Sequence, residues 1–214
     1  MSTALSEISC PDCENGLGRP YASLVDAAVQ KAVEGSLVAR IWQKDPAVWK
    51  EKPAEQGEIT NRLGWLQAPR KSGRVAEESE AFAGALRRDK TRHIVLMGMG
   101  GSSLAAEVFR ETFGSRAGFP ELLVLDSTDP ERVRDVRGRI VIAKTLFLFS
   151  SKSGSTTEPL SLFRYFHEEV RRMRRAGRSA PEAGRSFAAV TDPGTSLEDL
   201  AKRSGFRRDF FGDP

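Results

Sequence analysis

Short apolar runs alternate with helical patterns through the second half of this chain, and that alternation constrains its fold more than any other feature. The runs are His93-Ile94-Val95-Leu96-Met97, Glu121-Leu122-Leu123-Val124-Leu125, Thr145-Leu146-Phe147-Leu148-Phe149 and residues 186–190, with residues 206–211 a candidate fifth. Helical patterns over residues 104–113, 156–175 and 195–204, and a short one opening at Asp129-Pro130, lie between them. Strands of four to six apolar residues separated by helices predict an α/β fold: a parallel sheet of about five strands with helices on both faces and right-handed crossovers. Ahead of it, Leu24, Ala28, Val29, Ala32, Val33, Leu37 and Ile41 recur at helical steps, which predicts a helix over 21–42 that Asp45-Pro46 interrupts. Residues 75–88 read as a further helix. The expected organisation is a poorly ordered tail over 1–19, a helical lead-in over 20–90 and the α/β unit over 91–214.

Composition narrows the class. Of 214 residues 39% are hydrophobic and 29% charged, as in a water-soluble globular chain. The formal charge of +4 suits an anionic small molecule and is too slight to argue for nucleic acid, for which stacking aromatics are also not interleaved. No apolar run approaches the roughly 20 residues that span a bilayer. The first ten residues carry Glu7 and no basic stretch, so a signal peptide is not expected and the cytoplasm is the expected location. Two cysteines, Cys10 and Cys13, do not complete a zinc site and read as a reduced pair in the tail. No His/Cys/carboxylate cluster has metal-ligand spacing, so neither a metal nor an organic cofactor is expected. His93 opens a strand and His167 sits on a helix beside Glu168; both read as structural. The basic run Arg171-Arg172-Met173-Arg174-Arg175 complements a helix C-terminus.

Two strand-to-helix turns carry the chemistry. The first is Gly98-Met99-Gly100-Gly101-Ser102-Ser103, whose glycines let backbone approach a ligand and whose serines stand where a helix cap belongs. The second is Ser151-Lys152-Ser153-Gly154-Ser155-Thr156-Thr157-Glu158, which gathers hydroxyl donors and one ammonium before a helix that Thr156 or Thr157 can cap. Backbone N–H groups beside the positive end of a helix dipole are a phosphate site in waiting. Neither turn has Walker spacing. The first approaches a dinucleotide fingerprint but has Ser103 where the third glycine belongs, so a nicotinamide reading stays open only as an alternative, with Asp126 as its ribose partner. Ligands of such sheets sit at the carboxyl ends of the strands, where Asp126-Ser127 and Thr191-Asp192 also fall.

These residues also carry a resemblance. The 151–158 segment resembles the S-x-S-G-x-T-x-E loop of sugar isomerase (SIS) domains, and Gly98-Met99-Gly100-Gly101-Ser102 resembles the G-x-G-G-S signature of the glucose-6-phosphate isomerases. Together with Asn61-Arg62-Leu63-Gly64-Trp65-Leu66 they are similar to the bacterial isomerases fused to transaldolase. The resemblance implies a flavodoxin-like SIS fold, in a protein built from two such subdomains and assembled as a homodimer. It implies interconversion of glucose 6-phosphate and fructose 6-phosphate, as in glycolysis and gluconeogenesis. Ser151, Lys152, Ser153 and Thr156 would hold the substrate phosphate, and Gly100, Gly101 and Ser102 would line the sugar side. The family's glutamate base, its Gly-Gly-Arg arginine, its histidine and its lysine have no assignable counterpart here, so no catalytic residue is expected. The chain then represents the sugar-phosphate-binding half, with the second SIS subdomain missing after Asp213-Pro214. A single SIS module that senses a phosphosugar is the alternative.

Overall fold

A computed structural model of the chain describes residues 19–177 and 181–212. The expected tail, the Cys10–Cys13 pair and Asp213-Pro214 lie outside the described residues. The chain divides into two compact units between Leu66 and Gln67.

The first unit contains α1 (Arg19–Glu34), α2 (Leu37–Trp42) and α3 (Pro53–Thr60). The single helix expected over 21–42 is two helices. Gly35 is a poor helix former, and Ser36 takes a left-handed φ of 49°, which no α-helix tolerates. The Asp45-Pro46 interruption is a capped turn: the Asp45 carboxylate accepts from the Ala47 N–H at 2.9 Å and pairs with Arg40 at 2.7 Å. These two bonds hold its pKa below the usual carboxylate range, the Arg40 bond being the larger influence.

The second unit begins with α4 (Ala68–Lys71) and α5 (Gly73–Arg88). It continues as β1 (His93–Met97), α6 (Gly101–Phe113), β2 (Glu121–Leu125), α7 (Pro130–Arg139), β3 (Thr145–Ser150), α8 (Thr157–Arg175), β4 (Phe187–Thr191), α9 (Ser196–Ser204) and β5 (Arg208–Phe211). All five strands are parallel, in the order β2-β1-β3-β4-β5. This is the doubly wound flavodoxin-like order. Alternate strand residues serve opposite faces. Val95, Met97, Leu123, Leu125, Phe147, Phe149, Phe187 and Ala189 join residues of α7, α8 and α9 in the main core. Leu146 and Ala188 pack on the other face with Leu86 and Phe82 of α5. With the right-handed crossover usual for parallel strands, the β1–α6–β2 connection puts α6 on that second face as well. Phe147 anchors the main core, its ring 4.6 Å from that of Phe166 and 5.1 Å from that of Phe187.

Asp129 starts α7 by accepting from the N–H groups of Glu131 and Arg132 at 2.9 and 3.0 Å, with Pro130 as the first helical residue. Asp129→Ala is expected to lower stability by about 1 kcal/mol. Urea unfolding checks this, and an unchanged midpoint would show that the cap contributes nothing.

Candidate functional site

β1 and β3 are neighbours in register, Met97 beside Phe149, so the two signature loops emerge side by side at the carboxyl edge. From this point the chain winds outward in opposite directions, to β2 on one side and to β4 on the other. The loops therefore flank the switch point, where a doubly wound sheet opens a crevice.

In the first loop, Gly98 is buried, and a Cβ there would stand 3.0 Å from the Ser102 carbonyl oxygen. The N-cap of α6 is Gly100, not Ser102 or Ser103. Its φ of 53° with ψ of −121° suits a residue without Cβ. Ser103 is buried and donates back to the Gly100 carbonyl at 3.1 Å. Gly100 and Gly101 are exposed and Ser102 is half-buried, so the backbone at the start of α6 is open to a ligand.

The second loop is organised around Ser151, which is 2% exposed. Its hydroxyl oxygen accepts from the Gly154 N–H at 3.1 Å and lies 3.1 Å from the Thr156 hydroxyl. Thr156 is the N-cap of α8, yet its side chain makes no capping bond; its hydroxyl pairs with that of Ser151. Ser153 and Ser155 pair at 2.8 Å, and the Ser155 N–H donates to the Ser153 hydroxyl. The first turn of α8 is left with outward N–H groups, as at any helix start. Pro159, which has no N–H to satisfy, occupies the third helical position.

The last residue of β4 and the loop after it hold this turn in place. Thr191 donates to the Lys152 carbonyl at 3.2 Å. A hydroxyl has one proton, so Thr195, 2.8 Å away, donates to Thr191. Thr195 in turn caps α9, accepting from the Glu198 N–H. The Asp192 N–H also reaches the Lys152 carbonyl, and the Asp192 carboxylate faces the Lys152 ammonium at 3.7 Å. Glu198 accepts from the Gly194 N–H at 2.6 Å and pairs with Lys202, and this pairing lowers the pKa of its carboxyl. Gly154, at φ 71°, lies so close to α9 that a Cβ would sit 2.5 Å from the Leu197 nitrogen.

The four residues expected to hold phosphate thus share one loop, and after the adjacent strand Gly100 caps α6 while Gly101 and Ser102 open its first turn. Sequence reasoning placed Thr191 and Asp192 at this edge without giving them a task, and it gave Thr195 none. Thr191 and Asp192 meet the Lys152 carbonyl from far along the chain, and only their place at the end of a strand marks them; Thr195 has local partners, and the Thr195-x-x-Glu198 spacing of a capping box marks it. His93 stands at the opposite end of β1, 3.6 Å from Glu121. His167 lies within α8, its pKa lowered by burial and by Arg171. The basic end of α8 is paired with Glu168 and Glu169. Among the described residues, no group of His, Cys, Asp or Glu is placed to hold a metal ion, and no helix is long and apolar enough to cross a membrane.

No family model matches the chain. A glucose-6-phosphate isomerase of Campylobacter jejuni is 30% identical over 121 residues, covering 56% of this chain and 28% of that protein. One from Desulfitobacterium hafniense is 29% identical over 196 residues, covering 87% of this chain and 33% of the relative. The chain spans about a third or less of the length of these relatives. Among solved structures, a glucose-6-phosphate isomerase of Chlamydia trachomatis superimposes with a TM-score of 0.51 at 27% identity, over 64% of this chain and 25% of that one. A hypothetical protein of Thermus thermophilus shares the fold, with a TM-score of 0.61 at 24% identity over 87% of this chain and 40% of its own.

Proposed function

We propose that this chain is the sugar-phosphate-binding half of a glucose-6-phosphate isomerase, and that it holds the phosphate of glucose 6-phosphate and fructose 6-phosphate in the 151–156 loop. The observation that carries this reading is the placement of two small-residue turns on adjacent strands at the switch point, each running into a helix N-terminus. Similarity to proteins named glucose-6-phosphate isomerase supports the reaction.

Lys152, Ser153 and Thr156 are the direct phosphate ligands in this reading: one point charge, two hydroxyl donors and the helix dipole behind them. Ser151 is too buried to share freely, so it holds Gly154 and Thr156 in place for them. Asp192 leaves the ammonium as the dianion arrives. Gly100, Gly101 and Ser102 form the sugar-side wall, where small residues leave room for the ring. Moving a proton between C1 and C2 needs a base and a cation against the developing enediolate. The resemblance gives those groups no position in this chain, so the chain alone binds substrate without turning it over. The whole enzyme, in this proposal, is a cytoplasmic homodimer that uses neither metal nor organic cofactor.

Glucose 6-phosphate at a hundredfold excess over its Kd should add about 2.7 kcal/mol of stability. In thermal unfolding that is a rise of roughly 5–10 °C for a chain of this length. The double variant Ser151→Ala/Thr156→Ala should lose the ligand-dependent rise, whatever its own midpoint. Full protection of the variant would remove this loop from the reading.

A further inference from the structure

The amino edge of the sheet, opposite the site described above, carries a second constellation that the isomerase reading leaves unused. Three adjacent parallel strands, β3, β4 and β5, are each preceded by a cation: Lys144, Arg185 and Arg207. All three residues line one cavity of about 310 Å³. Arg207 is paired with Asp89, which closes α5 and lines the same cavity. Lys144 and Arg185 have no carboxylate partner among the described residues. The four charges sum to two positive, which matches one dianion. Ser186 also lines the cavity. It is 3% exposed, and its hydroxyl has no hydrogen-bond partner among the described residues. A buried hydroxyl without a partner is uncommon and asks for one. Leu86 and Leu146 give the cavity an apolar wall.

We infer that this cavity is a second anion site, taking a small phosphomonoester whose phosphate faces Lys144, Arg185 and Ser186 and whose organic body rests on Leu86 and Leu146. Charge selects the dianion, a planar guanidinium matches two phosphate oxygens, and the apolar wall favours an organic ester over the inorganic ion. Strands of five or six residues rise about 3.3 Å per residue, so the two edges stand roughly 15–20 Å apart. The two sites therefore fill independently.

Calorimetric titration with phenyl phosphate, with inorganic phosphate as the comparison, tests this. The unaltered chain should bind two equivalents of phenyl phosphate, and the amino-edge site should prefer it to inorganic phosphate severalfold. Ser151→Ala/Thr156→Ala should retain one equivalent. Lys144→Glu/Arg185→Glu should lose that equivalent, weakened at least tenfold, and keep the other. Both altered side chains are exposed, so the fold is expected to survive; if the reversal disturbs it, the neutral pair Lys144→Gln/Arg185→Gln gives the same comparison. Unchanged stoichiometry and affinity in the charge variants, or no binding left after Ser151→Ala/Thr156→Ala, would overturn the amino-edge site. A single equivalent lost only on changing Lys144 and Arg185 would instead support it and defeat the carboxyl-edge phosphate loop.

Discussion

Gly154→Ala is expected to lower the unfolding midpoint by roughly 5–15 °C and to abolish protection by glucose 6-phosphate at ordinary concentrations. Two separate effects add. Gly154 has φ 71°, a left-handed conformation that costs a residue with a Cβ about 1–2 kcal/mol. The new Cβ would also lie 2.5 Å from the Leu197 nitrogen and 2.8 Å from its Cβ. Backbone cannot swing aside as a side-chain tip can, so relief means pushing the 151–156 loop away from α9, at about 1–3 kcal/mol for such overpacking. The displaced loop is the proposed phosphate cradle, so binding should fail along with stability. Gly194→Ala separates the two effects. Gly194 has φ 76° but nothing within 4 Å of the added Cβ, so it should show the strain alone and leave binding intact. Thermal scans of both variants, with and without ligand, give the comparison. Equal losses in the two would mean that the approach to α9 does not matter.

Phe147→Ala is expected to destabilise the sheet unit by about 3–5 kcal/mol. Phe147 is fully buried at the centre of β3, and it stacks on Phe166 from α8 and Phe187 from β4. Removing the ring leaves a cavity between elements that are already fixed by strand pairing, so the gap cannot close. Phe113→Ala is the matched comparison. Phe113 is 78% exposed, and its loss should change stability by less than about 0.5 kcal/mol. Urea midpoints of the two variants read the difference, and similar small shifts would place the core elsewhere. Phe147 also bears on the site, because β3 carries the phosphate loop at its carboxyl end.

The strands were legible because a parallel sheet covered on both faces writes unbroken apolar runs, and residues 94–97, 122–125 and 146–149 are such runs. β5 was harder to read, since Arg208 and Asp209 stand among its phenylalanines. Strand order was not legible. The adjacency of β1 and β3, on which the site depends, is set by crossover handedness and packing across about fifty residues. At the first loop, Ser102 and Ser103 carry the composition of a cap, but the backbone turns earlier, and a φ of 53° selects Gly100. In the second loop the hydroxyls read as donors waiting for a ligand, whereas Ser151 spends its bonds on Gly154 and Thr156. The Thr191 bond to the Lys152 carbonyl spans 39 residues, a separation at which no local pattern operates.

In the proposed function a sugar phosphate docks at the β1–β3 switch point. Amide chemical-shift mapping by NMR during titration with glucose 6-phosphate tests it most directly. Saturable shifts are expected at Gly100, Gly101 and Ser102 and across residues 151–158, with the largest at Ser153 and Thr156. Saturation that leaves residues 151–158 unmoved would contradict it.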